Sequence, residues 1–230
     1  MAAVGRMASR ARPLAQPNPG VGALIVRDNR IIARGWTQTG GRPHAEKHAL
    51  ESLPESGAAG ATLYVTLEPC AHASERGPAC CDEVVRAAPS RVVIGQIDPD
   101  PRTSGKGIAA LEAAGIATQV LGDPASASSL AGFLARKKLG RPYVTLKLAM
   151  TADGEPGKIN GKFETAASFL KADLVDELHI YRAPILIGEG LRAIGPLGLT
   201  NLTEAHDNWQ LDRRLTLGSD TFEAYLRQRD

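Results

Sequence analysis

The stretch between Pro43 and Asp82 constrains this chain more than any other part of it. It begins with the segment PHAE, which contains His44, and continues to LEPC and PACCD, which contain Cys70 and Cys80. Zinc prefers imidazole nitrogen and thiolate sulfur, and a catalytic zinc site keeps one position for water. One histidine and two cysteines therefore predict a zinc site at His44, Cys70 and Cys80.

A glutamate, Glu46, lies two residues after the predicted histidine ligand. Bound zinc lowers the pKa of water to about 7, and a neighbouring carboxylate can accept that proton and pass it to a leaving amine. Zinc deaminases combine a nonligand Glu in H-x-E with a later P-C-x-x-C segment. The chain matches the first half of this signature, whereas nine residues separate Cys70 from Cys80.

Several segments together resemble one known family: PHAEKHAL, GATLYVTLEPCAH, RGPACCDEVV, RVVIGQIDPDPRTSGKGI and LEAAGI. They closely resemble the bifunctional deaminase–reductase of riboflavin biosynthesis (the RibD type), in which a long insert also separates the zinc cysteines. The resemblance runs from about Pro17 to Gly154 and resumes near the C-terminus. It implies a cytidine-deaminase-like three-layer α/β/α domain with a mixed sheet, followed by a truncated α/β reductase-like segment.

The same resemblance implies a substrate and a set of contacts. The reaction would convert 2,5-diamino-6-(5-phosphoribosylamino)pyrimidin-4-one to 5-amino-6-(5-phosphoribosylamino)uracil and release ammonia, with Glu46 carrying the proton. Asn18, in a Pro-Asn-Pro turn, and His72 and Arg76, in the insert, would contact this small molecule. The insert reads SERGP where the family usually has Gly-Arg/Lys-Thr-Pro-Pro. The family's substrate-binding role therefore applies more directly to His72 than to Arg76.

The residues alone leave some roles open. Asp98 and Asp100 follow a predicted strand, where ligands of open α/β sheets commonly bind, and either contact ribose hydroxyls or shape the turn. Cys81 competes with Cys80 for the third ligand position, and the family's Pro-x-Cys-x-Asp pattern favours Cys80. We interpret His48 as structural or exposed, because two cysteines already complete the ligand set.

The second half matches the family's reductase incompletely. The first strand of that reductase resembles YVTLKLAMTADG, and its end resembles TAASFLKADLVDELHIYRAPILIGEG. The dinucleotide-binding middle of the reductase has no counterpart in this chain. No Gly-x-Gly-x-x-Gly loop follows either. GKFE, at 161–164, stands where a Gly-Gly pair should open a helix. We predict a zinc-dependent deaminase domain over 1–140 and a remnant of a reductase-like domain over 141–230. The family implies NADPH, for which this chain offers no recognisable site.

Local patterns predict several elements. A first helix should end at Pro13, and VGALIVRD and RIIARGW should form a hairpin. Pro78 is expected in the first turn of a helix over PACCDEVVRAA. DPASASSLAGFLARKK is expected to form one amphipathic helix capped by Asp123. In the second half, YVTLKLAM, DELHIYRA and PILIGEG are β-rich and apolar, so they should be buried, within the chain or against another copy.

Composition narrows the function classes. The net charge is +2 and aromatic residues make up 4% of the chain, which argues against a nucleic-acid binder. Three cysteines fit metal binding in a reducing, cytoplasmic compartment better than a disulfide framework. We expect a homo-oligomer. The alternatives are deamination of another base or nucleoside, and a noncatalytic zinc module, whose fourth ligand would have to be His72.

Overall fold

The chain divides into two compact units, Met1–Pro142 and Tyr143–Asp230. The computed structural model describes residues 1–54, 56–155, 164–188 and 193–229. The division predicted from the sequence, after residue 140, lies two residues before this boundary. Within the described ranges, no helix combines the length and the apolar character needed to cross a membrane.

The first unit is built on a five-stranded mixed sheet with the order β2-β1-β3-β4-β5. β1 runs antiparallel to β2 and to β3, whereas β4 runs parallel to β3 and to β5. This confirms the mixed sheet, with the apolar run before LEPC as its central strand. The strands are β1 (Gly22–Arg27), β2 (Arg30–Trp36), β3 (Thr62–Leu67), β4 (Arg91–Gln96) and β5 (Ala117–Val120).

Helices cover both faces of this sheet. Two glycines on opposite faces show the arrangement: a side chain at Gly22 would strike the backbone of the first helix, and one at Gly35 would strike that of the second. The described residues therefore form the predicted α/β/α layers. The helices are α1 (Ala2–Ala11), α2 (Ala45–Leu50), α3 (Cys80–Ala87), α4 (Lys106–Ala113), α5 (Pro124–Ser129) and α6 (Ala131–Leu139).

The core of the first unit lies between these layers and consists mainly of aliphatic side chains from the central strands. Ile25, Leu63 and Ile94 are fully buried on β1, β3 and β4. Because β3 and β4 are parallel, their carboxyl ends meet at one edge of the sheet. The loops that carry LEPC and the aspartates after β4 therefore start side by side.

The predicted hairpin and first helix are confirmed, and two local predictions are wrong. Asp28 and Asn29 both have positive φ, as a type I′ turn requires. Pro78 is not in the helical turn, because Ala79 is the N-cap and α3 starts at the next residue. The expected single helix after Asp123 breaks at Leu130, whose φ and ψ are −100° and 3°.

The helix break has a local cause. Ser129 Oγ donates to the backbone carbonyl of Ser126 at 2.8 Å. Serine hydroxyls that bond backbone carbonyls within a helix often bend it. The predicted cap is confirmed, since an oxygen of Asp123 accepts from the backbone N–H of Ser126 at 2.8 Å.

The second unit contains a four-stranded sheet with the order β6-β7-β9-β8. β6 and β7 are parallel and joined through α7, whereas β9 is antiparallel to both β7 and β8. A small core of Leu148, Leu178 and Ile180 packs on this sheet. The C-terminal hairpin was not predicted. The elements are β6 (Thr145–Thr151), α7 (Glu164–Lys171), β7 (Glu177–Ala183), β8 (Trp209–Leu217) and β9 (Asp220–Arg227).

The described part of PILIGEG is not buried within the chain, so its expected burial against another copy stays a prediction. Residues 184–188 form no strand, and Ile185, Leu186 and Ile187 are 53%, 77% and 50% exposed. The last two residues of that segment lie outside the described residues. So do the first three of GKFE, at 161–163, where a helix-opening Gly-Gly pair was sought.

Candidate metal centre

Three elements bring one imidazole and two thiols together. His44 is the N-cap of α2, Cys70 follows the loop after β3, and Cys80 is the first residue of α3. The Nδ1 atom of His44 lies 3.1 Å from the sulfur of Cys80 and 3.7 Å from that of Cys70. All three potential ligand atoms lie within 4.8 Å of one another.

This donor set fits zinc. Zinc–nitrogen and zinc–sulfur bonds of about 2.0–2.3 Å in a tetrahedral shell place neighbouring donor atoms about 3.5–3.8 Å apart. The observed separations lie close to that range. In the part of the chain that the structure describes, no fourth His, Cys, Asp or Glu joins the group. Three protein ligands with one open position are the composition of a catalytic zinc site.

The Pro-Asn-Pro turn supports the histidine. The Nδ2 atom of Asn18 donates to the carbonyl of Gly41 at 2.8 Å and lies 3.0 Å from Nε2 of His44. Gly41 has a φ of 87°, and a side chain there would strike Asn18. These contacts orient the imidazole with Nδ1 towards the two sulfurs, as partners of a metal-binding histidine commonly do.

The two ligand thiols form a buried, hydrogen-bonded pair. The hydrogen bond with Cys80 lowers the pKa of Cys70, and the same bond, together with burial, raises the pKa of Cys80. The Cys70 sulfur also accepts from the backbone N–H of Cys80 at 3.2 Å. The lowered pKa of Cys70 favours its thiolate, which is the form that binds metal.

The structure distinguishes Cys80 from its neighbour. Cys81 is also buried, but its sulfur lies 3.7 Å from a carboxylate oxygen of Asp82 and outside the ligand group. His48 is likewise outside the group, and its Nδ1 accepts from Gln38 Nε2 at 2.9 Å. His48 therefore lies outside the ligand group, in keeping with its interpretation as structural or exposed.

Glu46 is buried beside the ligand group, with only 3% of its surface exposed. It is the second residue of α2, so the helix that positions His44 also positions this carboxylate. Burial raises the pKa of Glu46 to about 7, opposed by the charge of His44. A divalent cation at the ligand group would lower that pKa again.

A cavity of about 380 Å³ opens onto this group, within the size range of small-molecule sites. Every predicted substrate contact lines it: Asn18, His72, Arg76, Asp98 and Asp100. Within the lining, Nδ1 of His72 lies 3.3 Å from Oγ1 of Thr103, and Nη2 of Arg76 donates to the carbonyl of Gly40 at 2.6 Å.

The two aspartates after β4 are in different environments. Oδ1 of Asp98 accepts from the backbone N–H of Asp100 at 2.8 Å, and burial raises the pKa of Asp98. Hydrogen bonds from Arg102 hold the pKa of Asp100 well below its usual range. Lys137 Nζ, on α6, also donates to Asp100 at 2.9 Å. Sequence reasoning overlooked Arg102 and Lys137, which line the same cavity.

Glu68 is the second group that sequence reasoning overlooked. Its carboxylate is 2% exposed and accepts four backbone N–H groups, at distances of 3.0 to 3.2 Å. Three of these belong to the start of α4, and the fourth belongs to Asp98. Glu68 therefore fixes the loop that leads to Cys70 against the loop that carries the aspartates. The donors are the N–H groups of Asp98, Gly105, Gly107 and Ile108.

We expect Glu68→Gln to lower the free energy of unfolding by about 2–4 kcal/mol, because an amide NH₂ would face buried N–H donors that now share a carboxylate. Urea denaturation checks this, with zinc content measured in parallel. The matched control is Glu75→Gln, on an exposed residue, which should change stability by less than about 0.5 kcal/mol. Equal urea midpoints for the two variants would contradict the role of Glu68.

Sequence comparisons relate both units to known proteins. The family described as the cytidine and deoxycytidylate deaminase zinc-binding region matches residues 1–96, and the RibD C-terminal domain matches residues 158–222. Riboflavin biosynthesis protein RibD of Escherichia coli is 42% identical over 169 residues, which cover 73% of this chain and 46% of that protein. RibD of Aquifex aeolicus is 38% identical over 183 residues, covering 79% and 51%. The chain thus spans about half the length of these curated relatives.

Solved structures show the same fold. RibD from Acinetobacter baumannii superimposes with a TM-score of 0.81 at 23% identity, covering 99% of this chain and 97% of that one. The diaminohydroxyphosphoribosylaminopyrimidine deaminase/5-amino-6-(5-phosphoribosylamino)uracil reductase from Thermotoga maritima has a TM-score of 0.82 at 21% identity, covering 98% and 97%. A deaminase-like unit followed by a reductase-like unit is therefore the architecture of this chain.

Proposed function

We propose that this chain is a member of the RibD-type family of riboflavin-biosynthesis proteins and that its first unit is a zinc-dependent hydrolytic deaminase. The proposed substrate is 2,5-diamino-6-(5-phosphoribosylamino)pyrimidin-4-one. The products are 5-amino-6-(5-phosphoribosylamino)uracil and ammonia. His44, Cys70 and Cys80 are the proposed zinc ligands, and Glu46 is the proposed catalytic residue.

One observation carries this proposal: three zinc-type ligand atoms lie within 4.8 Å of one another, and two of their residues, His44 and Cys70, line a cavity together with the buried carboxylate of Glu46, which is not among them. A purely structural zinc site normally has four protein ligands. His72, the fourth ligand considered from the sequence, has its Nδ1 beside Oγ1 of Thr103 instead. The noncatalytic zinc module is therefore the weaker alternative.

The chain's own residues divide the chemistry between them. Zinc, when bound, supplies a Lewis acid that lowers the pKa of water to about 7. Glu46 accepts a proton from the attacking water and delivers it to the ring nitrogen. It then accepts the remaining proton of the hydroxyl added to the ring carbon and passes it to the amine, which leaves as ammonia while the C–N bond breaks and the C=O bond forms. Asn18 and His72 line the cavity at positions suited to orient the pyrimidine. Among the lining residues, Glu46, Leu67 and Cys70 are buried, and hydrogen bonds are stronger in such low-dielectric surroundings than in water.

A substrate panel tests this choice against the other deaminases of the same fold. We expect ammonia release from the phosphoribosylaminopyrimidine, and at least about 100-fold lower kcat/KM with cytidine, deoxycytidylate or free cytosine, because each lacks some of the groups that the site would bind. If any of those three has a higher kcat/KM than the phosphoribosylaminopyrimidine, the proposed substrate is wrong.

The insert provides a separate prediction. His72→Ala and Arg76→Ala should each raise KM by about 10-fold or more, because a charge-assisted or buried hydrogen bond is lost, while zinc content stays at the wild-type value. Steady-state kinetics and metal analysis on the same preparations check this. If Arg76→Ala has the wild-type KM for both the phosphorylated and the dephosphorylated substrate, Arg76 does not contact the phosphate.

We propose that the second unit is an internally truncated reductase domain and that it does not catalyse hydride transfer. The four-stranded sheet retains β6 and β7, which match the start and the end of the family's reductase pattern. A reductase must hold NADPH beside the ribose carbonyl of its substrate. NADPH oxidation with the deaminated ribosylaminouracil phosphate should equal the rate without enzyme, and NADPH titration should give no saturable binding. Robust turnover would overturn this proposal.

Two further features stay predictions. Self-association in solution is expected, and sedimentation as a monomer at micromolar concentration would contradict it. The partner of the first unit is proposed to be a small molecule rather than a nucleic acid, consistent with the net charge of +2.

A further inference from the structure

One wall of the metal-site cavity carries an ordered group of charges that the proposed reaction does not yet use. Arg102 follows β4, and Arg136 and Lys137 are on α6; all three side chains line the cavity. Asp100 lies among them and is only 6% exposed. We call these four residues the cationic wall, since three cations stand against one carboxylate.

Asp100 has no acceptor capacity left for a substrate. Its Oδ1 accepts the backbone N–H and the Nε–H of Arg102, both at 3.0 Å. Its Oδ2 accepts from Nη2 of Arg102 at 2.7 Å and from Nζ of Lys137 at 2.9 Å. A carboxylate offers roughly four lone-pair positions, and these contacts occupy them. A ribose hydroxyl would have to displace a charge-assisted hydrogen bond to reach this group.

The two cations held by Asp100 keep donors for another acceptor. Arg102 uses Nε and Nη2 on the carboxylate, and within the described ranges its Nη1 has no acceptor. The ammonium of Lys137 makes one contact, with Asp100, and carries further N–H groups. Arg136, beside them on the cavity wall, has no acceptor among the described residues. The nearest other carboxylate along the chain, Asp98, is engaged with the backbone of Asp100.

We propose that Arg102 and Lys137, with Arg136 beside them, bind the phosphate of the phosphoribosyl group, and that Asp100 is a positioning residue that holds the two cations in place. Phosphate oxygens match the fork of an arginine and the point charge of a lysine. Holding both side chains in advance reduces the conformational entropy that ligand binding would otherwise cost. This inference rests on the proposed function, because it assigns the phosphate end of that substrate.

The test compares Lys137→Met with Lys138→Met in the zinc-loaded full chain. Lys138 is the next residue of α6, is exposed and does not line the cavity, so it is a matched control. Lys137→Met and Arg102→Gln should each raise KM for the phosphorylated substrate about 10- to 100-fold, with kcat within about twofold. KM for the dephosphorylated substrate should not change, and Lys138→Met should match wild type with both.

Comparing KM for the phosphorylated and the dephosphorylated substrate distinguishes a positioning role of Asp100 from a purely structural one. Asp100→Asn keeps the shape of the side chain but removes its charge, so KM should rise for the phosphorylated substrate alone. Arg102→Lys, which keeps a cation, should recover part of the loss seen in Arg102→Gln. If Asp100→Asn raises KM equally for both substrates, Asp100 has a structural role and does not position the cations for phosphate.

Calorimetric binding of ribose 5-phosphate, ribose and inorganic phosphate separates this inference from the proposed function. Wild type should bind ribose 5-phosphate, and Lys137→Met should bind it at least about 10-fold more weakly, whether or not ammonia is released. Binding of ribose as tight as that of ribose 5-phosphate, or equal binding of ribose 5-phosphate by Lys137→Met and Lys138→Met, would overturn the assignment. A wild type that binds ribose 5-phosphate but deaminates no aminopyrimidine would instead reject the proposed function.

Discussion

Glu46→Gln is expected to retain one zinc per chain and to lose deamination by about 10²- to 10⁴-fold or more. Zinc should stay because Glu46 is not one of the three ligand residues. Activity should fall because the amide cannot accept the proton of the attacking water or return it to the leaving amine. Ammonia release and metal content, measured on one preparation, check both halves of this expectation.

The control for this variant is Glu51→Gln. Glu51 is the C-cap of α2, is exposed, and pairs with Lys47 at 3.8 Å on the surface, so the same chemical change is made on the same helix away from the cavity. It should leave both zinc content and activity at wild-type values. Loss of zinc from Glu46→Gln would instead make the glutamate a ligand and remove the proposed proton carrier.

Removing a ligand should have the second large effect. Cys70→Ala and Cys80→Ala are each expected to lower zinc affinity by more than about 100-fold, since outer-sphere partners of a metal alone are worth about 10- to 100-fold. Stability should fall as well, because metal binding contributes to folding wherever the unfolded chain lacks the site. Competition with a chromophoric chelator measures the affinity, and thermal unfolding with and without zinc measures the linkage.

Cys81→Ala is the matched control for the ligand variants, because the residue is equally buried and adjacent to Cys80 but outside the ligand group. It should keep zinc at full stoichiometry and lose only the modest stability expected for a small cavity. If Cys81→Ala loses zinc while Cys80→Ala retains it, the assignment of the third ligand is reversed.

The sequence was sufficient for the parts of the site that depend on residue type and local spacing. His44 and Glu46 sit in one helical turn, and Cys80 opens α3, so short segments already contain the geometry that the structure shows. The central strands could be predicted for a similar reason: apolar runs such as β3 are bounded by turn residues, and parallel pairing then aligns their carboxyl ends.

The remaining features depend on residues far apart in the chain. Glu68 meets its N–H donors 30 to 40 positions later, and Asp100 meets Lys137 37 positions later, so no local pattern reveals either contact. For this reason the sequence leaves Asp100 as either a ribose contact or a turn former and does not reveal its distant partner Lys137. The helix break at Leu130 was missed because a serine hydroxyl bonds the backbone where propensity alone favours continuation.

Zinc titration of the metal-free chain tests whether deamination requires one bound zinc. Chelator-treated protein would receive increasing equivalents of zinc, and initial rates of ammonia release from the phosphoribosylaminopyrimidine would be measured at each step. We expect no activity without metal, a linear rise, and a plateau at one zinc per chain that Cys70→Ala never reaches. Undiminished ammonia release from the metal-free chain, or none at one zinc per chain, would contradict a zinc-dependent deaminase.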